Sequence, residues 1–337
     1  MNVLAEAARV LVTGGAGMIG SALVWELNRR GCDRVVIADF LGESEKWRNL
    51  ASLRFEDYLE ADDLLARFQR GELGEFDLVL HMGACSSTTE RDASYLIRNN
   101  YEFTKSLCDL TLRKGARFVY ASSAATYGGG EVGMSDRLES ARDLQRLRPL
   151  NPYGYSKHLF DLHAFRTGIL DRVVGLKFFN VFGPNEEHKG DMRSVVRKAY
   201  EQVLEGGAIR LFRSYRPEYA DGEQKRDFLY VKDAVRMALH LALTPTAAGI
   251  YNVGSGEAQS WLDLANGVFR AMERPPEIEF IEMPEQLRGR YQYHTLADLG
   301  RLREAGFTEA LTPLSAAIED YVRGYLERDR RLGDEDS

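Results

Sequence analysis

Val10-Leu11-Val12-Thr13-Gly14-Gly15-Ala16-Gly17-Met18-Ile19-Gly20 is the stretch whose reading decides the fold. A buried strand over 8–13 runs into glycines spaced both G-x-G-x-x-G and G-x-x-G-x-x-G. Helical spacing follows over 18–30, ended by Gly31, and RVVIAD at 34–39 reads as a second strand. Asp39, at the end of that strand, stands 19 residues after Gly20. Strand, glycine turn, helix and a distal acid form the pattern of a dinucleotide site. The glycines let backbone approach a pyrophosphate, and the helix N-terminus stabilises its charge. Asp39 suits a ribose 2′-hydroxyl, which favours NAD, whereas a 2′-phosphate needs a compensating cation. Lys46 is near enough in sequence to be that cation. NAD against NADP stays open at this point, and so does Lys46 as a plain solvated lysine.

Working outward, apolar strand runs recur at 77–82, 117–121 and 173–180, with helices expected near 95–114 and over 153–169. Such alternation implies a parallel sheet covered on both faces, a Rossmann-type doubly wound α/β domain. The second half is more broken. Helices are expected over 192–204, 231–243, 261–272, 296–305 and 314–328. Short strands are expected at 209–212 and 249–254, another opens at Lys225, and 214–224 reads as a polar, aromatic loop. The organisation that follows has a coenzyme domain of 1–178 plus 228–257. A smaller mixed α/β substrate domain takes 179–227 plus 258–330, and 331–337 reads as a frayed, charged tail.

The 44 Lys and Arg against 51 Asp and Glu give a formal charge of −7, and only nine of the cations are lysine. That balance argues against a nucleic-acid binder. No apolar run approaches the ~20 residues of a membrane span, and residues 1–9 lack the basic start and apolar stretch of a secretory signal. Cys32, Cys85 and Cys108 are scattered without C-x-x-C spacing, and the histidines show no H-x-x-x-H pair. Reduced thiols in a cytoplasm and no structural metal are expected. An anionic ligand must find its cations locally, because the average surface repels it.

Tyr153-Gly154-Tyr155-Ser156-Lys157 contains Y-x-x-x-K. Positions i and i+4 share a helix face, and an ammonium beside a phenol favours the phenolate. Such a tyrosine can take or give a proton during hydride transfer to or from a nicotinamide. Upstream, Ser122-Ser123-Ala124-Ala125-Thr126-Tyr127-Gly128 leaves a strand end, where doubly wound sheets bind ligands. A hydroxyl there can hold a substrate oxygen, or simply satisfy loop backbone.

Fingerprint, strand-end serine and Y-x-x-x-K in this order resemble the extended short-chain dehydrogenases/reductases, the NAD-dependent epimerase/dehydratase superfamily, along almost the whole chain. Ser123, Tyr153 and Lys157 would be their catalytic triad, Ser123 rather than Ser122 because it stands five residues before Gly128 as in that family. Four further stretches are more specific: Gly83-Ala84-Cys85-Ser86-Ser87-Thr88-Thr89-Glu90; Phe179-Asn180-Val181-Phe182-Gly183-Pro184 leading to His188-Lys189-Gly190; Lys225-Arg226-Asp227-Phe228; and Leu287-Arg288-Gly289-Arg290-Tyr291-Gln292. Together they resemble the ADP-L-glycero-D-manno-heptose 6-epimerase family, bacterial enzymes that supply heptose for lipopolysaccharide core. The resemblance implies NADP, tightly bound, with hydride leaving C6 of an ADP-heptose and returning on the other face. Tyr153 would serve one orientation and Lys189 the other, since one rigid phenol cannot reach an oxygen on the opposite side. His188 and Arg226 are candidate neighbours to lower the Lys189 pKa.

By the same resemblance, Gly14, Gly17, Met18, Ile19, Gly20, Asp39, Phe40, Lys46, Met82 to Ser86, Asn99, Lys157 and Val181 would bind coenzyme. Met82, Gly83, Ala84, Cys85 and Ser86 form one run of that set. Asn180, Lys189, Asp191, Phe212, Arg226 and Tyr291 would bind substrate, with Arg226 suited to a pyrophosphate. A cytoplasmic homo-oligomer, a pentamer, is implied. Asp191 departs from the small hydroxyl residue usual in that family, and 214–224 is longer. The rivals are a nucleotide-sugar 4-epimerase, which has no use for Lys189 as a second base; a 4,6-dehydratase, which wants acids where Ala124 and Ala125 stand; and a coenzyme-sensing regulator, which would not need the triad.

Overall fold

The computed structural model describes residues 8–138, 140–289 and 291–334. Twelve strands are described: β1 Val10–Thr13, β2 Val35–Asp39, β3 Asp57–Glu60, β4 Leu78–His81, β5 Arg117–Ser123, β6 Val173–Phe178, β7 Asn180–Phe182, β8 Ile209–Phe212, β9 Lys225–Tyr230, β10 Gly249–Val253, β11 Ala258–Ser260 and β12 Ile278–Ile281. Seven form one sheet in the order β10-β6-β5-β4-β1-β2-β3, with every pairing parallel. Strands β1, β2, β4 and β6 are buried at every position. This is why they read as unbroken apolar runs: helices cover both faces. Two smaller sheets, β11-β9-β7 and β12-β8, stand apart from it.

Some elements carry no such signal. Strand β3 is an edge strand with one buried residue, Leu59, and a polar edge avoids pairing with other chains. The helix after it, Ala61–Gln69, buries only Leu64 and Phe68. The expected strand over 173–180 divides at Phe179, whose N–H donates to Val253 O at 3.0 Å. The chain changes sheets there, β6 pairing with β10 and β7 with β9. The helix expected near 95–114 is three pieces, Ala93–Leu96, a π segment at Ile97–Glu102 and Phe103–Arg113. The 296–305 expectation shrinks to Gly300–Glu304, and 314–328 becomes Leu314–Glu319 followed by a π segment at Asp320–Leu326.

The tail corrects its expectation. Arg331 and Leu332 are buried, and Leu332 belongs to the main core cluster. Burial of one leucine is worth about 1.5–3 kcal/mol, enough to hold a short segment down despite its charges. Residues 335–337 of that tail, and Arg290 of the Leu287–Gln292 stretch, lie outside the described residues. Among the described residues, no helix is long and apolar enough to cross a membrane and no metal-ligand cluster occurs.

Candidate active site

At the carboxyl ends of the large sheet lies a cleft of about 830 Å³. All the predicted coenzyme residues between Gly14 and Asn99 line it, and Lys189 does too. Gly14 has φ +66°, and a Cβ there would stand 2.6 Å from Gly83 N. A Cβ on Gly20 would overlap the Gly14 carbonyl oxygen. These glycines therefore let β1, β4 and the first helix meet. That helix, Met18–Arg29, begins at Gly17 without a side-chain cap, so its first-turn N–H groups are available to an anion. An uncapped helix start, a glycine cradle and a cleft of this size fit a dinucleotide.

Asp39 is buried and its oxygens are engaged. Oδ2 accepts from Ala16 N–H at 2.9 Å, and Oδ1 accepts from Phe40 N–H at 2.7 Å and from Lys46 Nζ at 2.7 Å. Lys46 also donates to Phe40 O at 3.0 Å. The acid shapes the glycine loop as much as it faces the cleft, and Lys46 balances its charge.

Below the cleft runs a buried relay. Thr104 Oγ1 donates to Asn100 O at 2.6 Å, so it receives the His81 Nε2 proton at 2.8 Å. His81 Nδ1 then accepts from Thr13 Oγ1 at 2.6 Å, and Thr13 Oγ1 accepts from Gly83 N–H at 3.1 Å. Burial pushes the His81 pKa down to about 3, with the Lys157 charge adding to it, so the ring stays neutral. The π segment sets Asn99 and Asn100 in register, and π turns often mark functional sites. Asn100 clamps Cys85: Oδ1 accepts its N–H and Nδ2 donates to its O, both at 2.9 Å, and Nδ2 also reaches Ser156 Oγ at 3.0 Å.

Ser123 ends β5 and Tyr153 opens the helix Pro152–Arg166, capped by Asn151, whose Oδ1 accepts Gly154 N–H at 2.7 Å. A Cβ on Gly154 would lie 2.8 Å from Ala125 O. Glycine there brings the helix against the Ser123 turn, which sets the Ser123 hydroxyl beside the Tyr153 phenol. Burial raises the Tyr153 phenol and the Ser123 hydrogen bond opposes it. Lys157 does not set that phenol as expected; burial does, with Ser123 opposing it and Cys85 adding to it. Lys157 is buried, and desolvation pushes its pKa down to about 8. One turn on, Asp161 and Lys177 pair at 2.9 Å with both side chains wholly buried. Asp161 also accepts from Tyr120 and Ser122 hydroxyls at 2.9 and 2.8 Å.

Lys189 sits in a 3₁₀ segment, Glu187–Met192, with Nζ 3.6 Å from Met18 Sδ. Burial lowers its pKa, and Glu186 opposes that shift. Neither His188 nor Arg226 is the cause; His188 is itself held neutral, pushed down to about 4 by burial and then by Lys46 and Lys189. Asp191 is exposed and outside the cleft, so its carboxylate turns to solvent instead of opposing an anionic ligand. Val181 also lies outside the cleft, paired to Leu229 in the small sheet.

The remaining substrate candidates gather in the smaller lobe. The Arg226 guanidinium is buried 4.9 Å from the Tyr291 ring centre and 5.6 Å from that of Trp261. Tyr291 OH accepts from Trp261 Nε1 at 2.8 Å, and Phe212 meets Tyr291 edge-on at 6.5 Å. Asn180 is exposed, its Oδ1 3.4 Å from Thr295 Oγ1. Two aromatic faces hold the guanidinium in place while desolvation strengthens its pull on an anion.

Residues 10–254 match the model of the NAD dependent epimerase/dehydratase family. The chain belongs to that family. A nicotinamide coenzyme is therefore its cofactor. The chain is 54% identical over 317 residues to a protein of Nitratidesulfovibrio vulgaris named ADP-L-glycero-D-manno-heptose-6-epimerase, covering 94% of this chain and 97% of that one. It is 44% identical over 328 residues to a protein of Fusobacterium nucleatum of the same name, covering 95% and 98%. A crystal structure of the Helicobacter pylori ADP-L-glycero-D-manno-heptose-6-epimerase superposes with TM-score 0.80 at 26% identity, covering 96% and 98%.

Several residues of this epimerase's site escaped sequence reasoning. His81, Asn100, Asp161 and Lys177 act through partners distant in the chain. Ala61, Asp62 and Leu65 enter the cleft from the unforeseen helix. Asp227 accepts backbone N–H from Ser255, Gly256 and Ala297 beside Arg226; its place in Lys225-Arg226-Asp227-Phe228 was the available signal.

Proposed function

We propose that this chain inverts C6 of ADP-D-glycero-D-manno-heptose to give the L-glycero epimer, for lipopolysaccharide heptose, using NADP bound in the 830 Å³ cleft. The coenzyme supplies the two-electron oxidant and, after the sugar turns, the reductant. Tyr153 takes or returns the C6 hydroxyl proton in one orientation, with Ser123 holding the same oxygen. Lys157 supports the phenolate and binds the ribose. Lys189 moves the proton when the oxygen points the other way, and the lowering of its pKa by desolvation makes the amine a readier proton acceptor than an ordinary lysine. Arg226, stacked between Trp261 and Tyr291, takes the pyrophosphate.

The observation that carries this reading is the position of Lys189. Its ammonium enters the coenzyme cleft beside Met18, on a different element from Tyr153. A 4-epimerase has no need of that second group. For the coenzyme, the Lys46–Asp39 pair supports NADP: the acid's oxygens are already engaged and the lysine offers charge to a 2′-phosphate. The lobes are proposed as 1–178 with 228–257, and 179–227 with 258–330; β10 beside β6 supports the return of the later segment. A cytoplasmic homo-oligomer, pentameric by the same resemblance, is checked by sedimentation. The decisive experiment incubates the pure protein with ADP-D-glycero-D-manno-heptose, without added coenzyme, and follows C6 configuration by NMR. Conversion is expected; folded, coenzyme-loaded protein that leaves the sugar unchanged overturns the reading.

A further inference from the structure

The charged segment that closes the described chain does not hang free. It ties together two segments that border the cleft. On the coenzyme side, Asp329 pairs with Arg48 at 2.7 Å and Asp334 Oδ1 accepts from Ser52 Oγ at 2.5 Å. Arg48 lies in the same 3₁₀ turn, Glu45–Asn49, as Lys46. On the Lys189 side, Leu332 N–H donates to Asn185 Oδ1 at 3.0 Å, and Arg331 Nε stands 3.5 Å from Glu187 Oε2. The segment is closed on itself by Arg331 N–H to Asp334 Oδ2 at 2.6 Å.

Beneath it, Asn49 completes the link. Its Nδ2 donates to Ala16 O at 2.9 Å in the glycine loop and to Asn185 O at 3.2 Å, with His188 Nδ1 at 3.3 Å. Asn185 is fully buried with φ +71°, a backbone conformation that needs support from its surroundings. Its side chain supplies that support, one end on Leu332 and the other on Ser21 Oγ at 2.9 Å.

We propose that Arg331 and Leu332 are positioning residues for Lys189, locking 185–189 onto the glycine loop and the Lys46 turn so that the ammonium stays in the cleft. The proposal rests on the reading of Lys189 as second acid/base. Without the lock, Asn185 loses a buried partner, Glu187 loses its cation, and the 3₁₀ segment is free to swing outward. Among the charged and titratable groups of this region, Glu186 acts on Lys189 directly; Lys46, Asp39 and Arg331 act on the adjacent His188, and Arg331 pairs with Glu187. Exposure of the amine on release would return its titration toward that of an ordinary lysine.

The test compares coenzyme-loaded parent with a chain ending at Arg330, with Arg331→Ala, Arg331→Lys and Lys189→Met. The shortened chain is expected to lose about tenfold or more in kcat with KM within about twofold, since small misplacements cost catalysis more than binding. Competitive acylation across pH, read by peptide mass, should show Lys189 titrating higher than in the parent. Arg331→Ala should lose part of kcat and Arg331→Lys recover most of it. Unchanged kcat and unchanged Lys189 titration in the shortened chain overturn the proposal. So does a kcat loss that follows the melting temperature while Lys189 titrates as in the parent. If Lys189→Met epimerises at the parental rate, the two-base reading itself fails and the proposal with it. If Lys189→Met is inactive while the shortened chain is unimpaired, only the strap is refuted.

Discussion

Lys46 Nζ lies 2.7 Å from Asp39 Oδ1, so the acid expected to select a ribose hydroxyl is already neutralised by the residue expected to select a phosphate. Because the two are one unit, the proposed preference for NADP rests on both together. Lys46→Ala leaves the carboxylate with only the Ala16 and Phe40 N–H groups as partners and takes away the positive charge proposed to meet a 2′-phosphate. A charge-assisted hydrogen bond is worth about 1.5–3 kcal/mol, so the NADP/NAD affinity ratio should fall about 10- to 100-fold. Titration calorimetry with both coenzymes on stripped protein checks this; an unchanged ratio refutes it.

On the proposed two-base reading, Tyr153→Phe and Lys189→Met remove proton transfer on opposite sides of the same carbon. Each should lower kcat by about 10²–10⁴ while the coenzyme stays bound. Steady-state rates on both epimers, with coenzyme content measured in parallel, are the check. An unimpaired Lys189→Met variant would falsify the two-base assignment.

Asn100→Leu should weaken both stability and coenzyme retention. The substitution orphans the Cys85 N–H and carbonyl that the amide pairs. Each unsatisfied buried group costs about 1–3 kcal/mol, and the freed loop lines the cleft. Urea denaturation and coenzyme release on dilution measure the two effects. Parental behaviour in both would show that the clamp is dispensable.

Asp161→Ala leaves the Lys177 ammonium buried without its anion. Breaking such a pair from one side costs about 3–5 kcal/mol. The double variant Asp161→Leu with Lys177→Met should recover much of that loss, because two apolar groups leave no buried charge. Chemical denaturation of the three proteins distinguishes a charge effect from a simple packing defect, in which the double variant would be the least stable.

Lys157 gives a pH signature. Its folded pKa, pushed down to about 8, lies below the ordinary 10.5. Between those values the unfolded chain holds a proton that the folded chain has released, so stability rises with pH across that window. Below about 8 the full cost of burying the cation is present, about 3 kcal/mol. Lys157→Met should remove this contribution. The difference in denaturation midpoint between parent and variant should therefore narrow as pH climbs from 8 toward 10.5; a constant difference contradicts the assignment.

Much of the site was legible because its chemistry is carried by short local patterns. The glycines need only neighbouring backbone to be close. Tyr153 and Lys157 are one helical turn apart whatever surrounds them, and the coenzyme strands announce themselves through burial on both faces. Edge strand β3 could not announce itself, since one buried side chain leaves no pattern.

By itself, the sequence determined the doubly wound coenzyme fold through residue type at fixed spacing; the Ser123–Tyr153–Lys157 candidates joined that spacing to a family resemblance, and Lys189 came from the resemblance. Only the tertiary structure decided what each group experiences. It neutralised Asp39 with Lys46, turned Asp191 to solvent, desolvated the Tyr153 phenol enough to raise its pKa and made His81 a relay between Thr13 and Thr104. It also drew the charged tail inward, over 140 residues from Asn185 in sequence but 3.0 Å from it in space. The physical reason is shared: burial, charge pairing and hydrogen-bond partnership are properties of neighbours, and these neighbours are brought together by the packing of whole elements.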